Sequence, residues 1–508
     1  MDSAALNAIT DVDTLRDLVR EKIDIISRHE RTIHNRDLKI DKLTHELARL
    51  RRVQFAVRTE AMSAHQRDLF DEAMAADIAA VEAELEALDT APRKAPRRKP
   101  VRRPLPADLE RIETVHEPDS HHCTGCGQGL VKIGEHASEK LDVKPMELFV
   151  RRDVYPQYAC RQCETVVAEP VAPAIIDRGM AAPGLLAQVA IQKYADHLPL
   201  YRQEAIFARH GITLKRQTLA EWIGVIGLRL TPLVDALRHR LLQAQVLHAD
   251  ETPVRQLAPG NGSTKRAYLF AYRSAGTDPI VIFDYCQSRA GRHAAEFLGA
   301  WQGALMVDDF AGYKKLFGPA ITELACWAHA RRKFFDAHKA TGSAIAQQAL
   351  EHIAELYQIE AKLRDLDDAG RTEARQTHLA PKIRQLKHWL DDLHPKVLGN
   401  SGLHTAIAYT RKRWPALVRV LDDGRYPIDN NPIENAIRPI AIGRKNWLFA
   451  GSQSAGERAA AIMSLFATAK ANGIEPHAWL TDVLTRLPTT LDRDIESLLP
   501  IAGFQPCR

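Results

Sequence analysis

The sequence predicts a multidomain α+β protein, and three observations carry that prediction. Apolar side chains spaced seven apart mark a long N-terminal helix. Two Cys-x-x-Cys pairs mark a small separate module. Near Gln245 the pattern changes from helical to strand-like, which marks a mixed α/β domain. In chain order the expected parts begin with a helical leader over 1–90, a basic proline-rich linker over 91–118 and a four-cysteine module over 119–170. A helical region over 171–243 and the first part of the mixed α/β core over 244–340 follow. A further helical stretch over 341–426, the rest of the core over 427–475 and a C-terminal tail over 476–508 complete the chain.

The chain has 508 residues, 45% hydrophobic and 26% charged, enough for three or four globular domains. Its 69 basic and 64 acidic residues leave a net charge of +5. The stretch 91–104 alone more than supplies that excess, so a uniformly basic coat is excluded and a polyanion must meet local patches. Seven cysteines exclude a disulfide scaffold. The N-terminus lacks a signal-peptide pattern, and no apolar run approaches the roughly 20 residues a bilayer span needs. The expected location is cytoplasmic, with no membrane partner.

In the leader, Val19, Ile26, Ile33, Ile40 and Leu47 form one heptad line. The companion line of Leu15, Lys22, His29, Arg36, Leu43 and Leu50 is apolar only at its ends. A parallel coiled-coil dimer buries such a stripe; packing on the same chain is the alternative. A second helical stretch is expected over 73–88. Residues 91–104 contain four prolines and seven cations, Arg97 and Arg98 among them, and read as an extended linker. The run serves either as a solvated spacer or as a basic arm on DNA phosphates, where counterion release supplies the affinity.

Cys123, Cys126, Cys160 and Cys163 offer four thiolates for a tetrahedral structural zinc ion with no open catalytic position. His121 and His122 are then bystanders or phosphate contacts, and a strand-like run falls over 146–154. Helices are expected over 183–241. Within them, residues 201–222 read as a helix-turn-helix, with Gly211 at the turn, Ile212 and Leu219 on buried faces and Trp222 closing the core. Lys215, Arg216 and Gln217 open the second helix, where a recognition helix meets base edges. A plain helical hairpin is the alternative.

Strands are expected over 245–250, 266–272, 279–284, 303–308 and 321–326, with a helix near 293–301. The pattern is helical again from 328 to about 422, and mostly helical beyond Pro432. Asp250 ends the first strand candidate and Asp308 the fourth. Glu434 lies just inside a helix that Pro432 opens and Asn430 or Asn431 caps. Strand ends facing a helix would bring these three hard oxygen ligands together. Two Mg²⁺ or Mn²⁺ ions suit such a cluster and an in-line phosphodiester displacement. Arg438, Arg444 and Lys445 follow Glu434 and either neutralise phosphate charge or form a solvated face. Cys326 and His329 have metal-like spacing without a second pair nearby, and read as a buried cysteine and a helix histidine.

Several blocks together resemble the DDE transposases of the bacterial insertion-sequence family numbered sixty-six. They are Tyr201-Arg-Gln-Glu with Gly211 and Trp222, His248-Ala-Asp-Glu-Thr-Pro-Val254 and Asp308-Asp-Phe-Ala-Gly-Tyr313. Cys326-Trp-Ala-His-Ala-Arg-Arg-Lys-Phe334, Asn430-Asn-Pro-Ile-Glu-Asn-Ala-Ile-Arg-Pro439 and Gly443-Arg-Lys-Asn-Trp-Leu-Phe-Ala-Gly-Ser452 complete the set. The resemblance implies an RNase H-like catalytic fold with a helical insertion before the glutamate. It implies catalytic acids at Asp250, Asp308 and Glu434, with Glu251 and Asp309 as decoys and His329 as an active-site neighbour. Asp309 stands where the family commonly has glycine. Strand alternation discriminates adjacent acids, since neighbouring side chains face opposite ways.

The expected activity is therefore transposition. The chain would bind the terminal inverted repeats of its element, hydrolyse a phosphodiester to free a 3′ hydroxyl, and join that hydroxyl to target DNA. Partners would be both DNAs in the nucleoid, a second protomer, and companion proteins of the same element. Two other classes fit parts of the pattern: a non-catalytic zinc-containing DNA-binding regulator, and a structure-specific nuclease without strand transfer.

Overall fold

The computed structural model describes residues 12–55, 105, 109–118, 120–122, 124–144, 147–258 and 263–506. The expected second leader helix, the basic run with Arg97 and Arg98, and Cys123 lie outside these residues. The leader forms one helix, α1 (Val12–Phe55). Val19, Ile26 and Ile33 of its heptad line are exposed, and Leu43 is buried.

A four-stranded sheet follows, built from β1 (Arg111–Val115), β2 (Val131–Lys144), β3 (Glu147–Ala159) and β4 (Val166–Ala168). β2 and β3 form a long antiparallel hairpin, β1 lies parallel to β3 on its other side, and β4 pairs with the end of β3. Residues 111–115 were expected in the linker. They form a strand because Arg111 and Glu113 reach across the sheet to Glu139 and Arg152, an edge pairing that their local polarity conceals.

Helices α2 (Pro183–Tyr194), α3 (Leu200–Arg209), α4 (Arg216–Arg229) and α5 (Thr231–Leu241) lead to the second sheet. Pro183 opens α2 and Pro232 opens α5, where the missing N–H costs nothing. That sheet contains β5 (Val246–Gln256), β6 (Lys265–Ser274), β7 (Val281–Cys286), β8 (Gly303–Val307) and β9 (Ile321–Ala325), with α6 (Arg292–Leu298) between β7 and β8. The strand order is β7-β6-β5-β8-β9. β5, β6 and β7 are antiparallel, and β8 and β9 add in parallel.

Alternation along the strands splits the core. Leu247, Ala249, Phe270, Tyr272, Ile282 and Leu305 pack with α2–α5. Leu269, Ala271, Val281 and Phe283 pack on the opposite face against Ile433, Ile437 and Ile440. Those isoleucines lie on α12 (Asn431–Trp447), spaced to form one stripe on its inner side.

Between β9 and α12 the chain makes a helical excursion. It comprises α7 (Trp327–Thr341), α8 (Ala344–Lys362), α9 (Asp368–Ala374), α10 (Ala380–Leu393) and α11 (Gly402–Leu417). It has its own core, including Trp327, Phe334, Ile353, Leu386 and Ile407. The buried Arg375 guanidinium pairs with Glu360 and donates to the carbonyls of Val420 (2.9 Å) and Asp423 (2.8 Å). The excursion leaves and returns at one place, since the Trp327 amide donates to the Ile428 carbonyl at 3.1 Å. After α12, α13 (Gln453–Ala471) crosses β7, and α14 (Pro476–Arg486) packs on α2. Among the described residues, no helix is long and apolar enough to cross a membrane.

Candidate active site and metal centre

Asp250 lies in the middle of β5, where the sequence reading placed a strand end. The strand continues because its antiparallel pairing with β6 runs on to Gln256, whereas its pairing with β8 ends at His248↔Met306. Asp250 lies two residues past that pair in β5, and Asp308 directly follows the last residue of β8, so both acids stand near the end of the β5–β8 pairing. His248, Asp250 and Thr252 alternate with Ala249 and Glu251, so Asp250 faces the side on which α12 packs.

The adjacent acids are otherwise engaged. Glu251 pairs with Arg289 and accepts the Tyr313 hydroxyl at 2.8 Å. Arg289 in turn lies over the Phe310 ring, 3.9 Å from its centroid. Asp309 is held by Lys412 (2.7 Å), Lys314 (3.2 Å) and Arg413 (3.7 Å), and these cations keep its carboxyl below the usual range. Asp308 instead turns its Oδ1 to the Phe310 amide at 2.8 Å, which leaves the other oxygen for a ligand.

Glu434 sits in the first turn of α12. Its Oε1 is buried without a hydrogen-bond partner, 3.6 Å from His329 Nδ1, and its Oε2 lies 3.4 Å from Arg332 Nη2. The three acids share one electrostatic neighbourhood. Burial, then the charge of Glu251, with contributions from Asp308 and Glu434, pushes the Asp250 carboxyl up to about 7. A buried orphan oxygen and a reluctant carboxylate are both relieved by a divalent cation, so the donor set fits Mg²⁺ or a similar hard ion.

Asn430 was one of the two asparagines, with Asn431, expected to cap α12. It occupies the cap position but makes no cap hydrogen bond. It is fully buried and spans to β5 instead, its Nδ2 donating to the Ala249 carbonyl at 3.0 Å and its Oδ1 lying 2.9 Å from His248 Nδ1. Its backbone N–H donates to the Cys326 sulfur at 3.2 Å. Sequence reasoning missed this clamp because asparagine before a helix is the ordinary capping signal. Its nearness to His248 is visible only in the fold.

Cys326, His329 and Glu434 place one donor atom each within 4.8 Å of one another. Burial pushes the Cys326 thiol up to about 12, and its sulfur already accepts the Asn430 amide, so it serves as packing here rather than as a thiolate. Arg444, one of the expected phosphate contacts, donates from Nη1 to the Pro253 carbonyl at 2.6 Å and to Thr252 at 3.3 Å, fastening α12 to β5. Arg438 and Lys445 are exposed on α12.

In the first sheet module, Cys126 Sγ lies 3.5 Å from Cys160 Sγ and 3.7 Å from Cys163 Sγ. Ligands at about 2.3 Å around a tetrahedral zinc ion stand roughly 3.8 Å apart, so three of the four expected thiols already have the right mutual spacing. Further on, α3 and α4 are joined through Gly211 at φ +78°. Ile212, Leu219 and Trp222 are buried. Lys215 takes the cap position of α4, Arg216 and Gln217 open the helix, and Gln217 bonds Glu221 at 3.2 Å.

Acidic residues coupled electrostatically between a mixed sheet and the helix on it, a thiol cluster on a separate sheet and a helical region between them define a multidomain α/β protein. The chain belongs to the IS66 family of transposases. The model described as "Transposase IS66 family" matches residues 178–458, and "IS66 C-terminal element" matches 464–501. "Zinc-finger binding domain of transposase IS66" matches 120–164, and "Transposase C of IS166 homeodomain" matches 42–114. Two proteins of Sinorhizobium fredii, both described as uncharacterized, are similar over most of their length. One, y4jD, is 40% identical over 78% of this chain and 81% of its own. The other, y4qI, is 37% identical over 92% of this chain and 90% of its own. The thiol cluster and the zinc-finger match together support a structural zinc ion.

Proposed function

We propose that the chain is an active DDE transposase that cuts and joins DNA at the ends of its element. The observation that supports this reading is the electrostatic coupling of Asp250 to Asp308 and Glu434, together with the Asn430 contacts that tie the start of α12 to β5. The β7-β6-β5-β8-β9 sheet supports an RNase H-like core divided as 244–340 and 427–475, with 341–426 as its insertion.

In this reading Asp250, Asp308 and Glu434 hold two Mg²⁺ ions. Bound there, such ions would supply activation of the attacking oxygen and stabilisation of the leaving oxygen of the phosphodiester. The chain itself orients the three carboxylates, sequesters Glu251 and Asp309 in ion pairs, and sets His329 against Glu434. Arg438 and Lys445 offset phosphate charge nearby. Water and then the freed DNA 3′ hydroxyl are the nucleophiles.

The zinc module, completed by Cys123, the first residues of α4 (Lys215, Arg216 and Gln217), and the linker cations Arg97 and Arg98 hold the element end. The exposed Val19, Ile26 and Ile33 stripe pairs protomers as a coiled coil, so that two ends are synapsed in the nucleoid. The test incubates the protein with labelled element-end duplex, target plasmid and Mg²⁺. Joined product is the expected result. Cleavage alone would identify a nuclease, and binding without cleavage a regulator.

A further inference from the structure

Next to the carboxylate cluster a groove runs between α7 and α8, closed at one end by the first residue of α12. Its lining includes Arg331, Arg332, Phe335, Tyr357, Gln358 and Asn431. Arg331, Arg332 and Phe335 share one helical face, and Phe335 is 45% exposed. A single exposed ring is ordinary; a ring flanked by two guanidinium groups in a concave surface is not.

No carboxylate is among the residues that line the groove. Asp429, which bonds two of the lining residues, is occupied. Its Oδ2 accepts the Tyr357 hydroxyl (2.9 Å) and Asn431 Nδ2 (2.8 Å), and its Oδ1 accepts the Asn431 amide (3.1 Å). Burial also raises its carboxyl above the usual range. Arg332 reaches Glu434, and Arg331 makes no ion pair or hydrogen bond among the described residues. The groove thus offers two guanidiniums for a phosphate, an open aromatic face for a base, and two side-chain amides, on Gln358 and Asn431, for a base edge. Guanidinium beside an exposed ring is how unpaired nucleic-acid strands are held.

We propose that this groove binds an unpaired nucleotide of the DNA strand adjoining the phosphate that is cut. Its phosphate rests on Arg331 and Arg332, and its base stacks on Phe335. Arg332 joins the groove to Glu434, which fixes the bound nucleotide next to the reacting centre. The assignment of that strand rests on the transposase reading; the groove's chemistry does not.

The test uses the full chain without divalent metal and an oligothymidylate of about 12 nucleotides carrying one 5-iodo-2′-deoxyuridine. Ultraviolet crosslinking should attach the base to the peptide containing Phe335. Phe335→Ala should abolish that crosslink and Phe335→Tyr should keep it. Arg331→Ala should lower its yield about fivefold at low salt. Both side chains are exposed, so melting curves should match the parent. Crosslinks confined to other segments, or a Phe335 crosslink undiminished by Arg331→Ala, would overturn the inference. Neither metal nor joining enters this assay. Failure here would leave the transposase reading to its own test. A Phe335 crosslink in a chain that never joins DNA would keep the groove and discard that reading.

Discussion

Asn430 and His248, far apart in the chain, meet at 2.9 Å in a fully enclosed contact. The Asn430 amide nitrogen is committed to the Ala249 carbonyl, so its Oδ1 can only accept, and His248 must carry its proton on Nδ1. Burial lowers the His248 pKa to about 4, so the ring stays neutral at physiological pH. One asparagine thereby ties the helix of Glu434 to the strand of Asp250.

Asn430→Ala should therefore leave two buried groups unpaired and cost about 1–3 kcal/mol for each. The expected outcome is a lower melting temperature and a strand-transfer rate down at least about tenfold, with element-end binding preserved. Retention of full joining activity would show that the clamp does not position the carboxylates.

Alanine at Asp250, Asp308 or Glu434 should each abolish cleavage and joining in the labelled-end assay while leaving end binding intact. Glu251→Gln and Asp309→Asn should act mainly on stability, because both acids are spent on cations. Loss of joining in Asp309→Asn with an unchanged melting curve, beside an active Asp308→Asn, would exchange the roles of the two neighbours.

Asp250 titrates near 7 in the metal-free fold against an ordinary value of 3.8. The folded chain therefore holds this proton more tightly than the unfolded chain. Its stabilising contribution is complete below about pH 4 and is lost as pH rises through about 7. The melting temperature of chelator-treated protein should fall across that window, and Asp250→Asn should flatten the slope.

Arg413 is 3% exposed, pairs with Glu323, and donates to the Asp308 carbonyl at 3.3 Å. Arg413→Ala strips a buried ion pair of one partner and should cost about 3–5 kcal/mol. Lys412, two-thirds exposed on the same Asp309, should cost under about 1 kcal/mol when removed. Urea unfolding of the two variants compares them directly.

Purified protein should contain one zinc ion per chain by metal analysis, lost with Cys160→Ser. Cys160 is buried, so its variant should also melt the module's sheet, read by protease sensitivity at β2 and β3.

Much of this architecture was legible because it is periodic or punctuated. The strands of the second sheet, the turn at Gly211 and the proline opening α12 all announce themselves locally. The long reach of β5 past Asp250 was not, because its final residues run on beyond β8 and carry polar Thr252 and Arg255. β1 hid for the same reason: an edge strand held by cross-strand ion pairs has no apolar signature. Asn430, Arg332 and Arg413 act across long sequence separations, and nothing in their immediate neighbours reveals which partner they meet.

The Trp327–Ile428 hydrogen bond has a consequence for how the molecule could change over time. Departure and re-entry share one doorway, so the helices between can be lengthened, trimmed or exchanged without displacing a strand of the sheet. Related chains should differ most in the far portion of that loop-out, beyond α7, and least at its two gateposts.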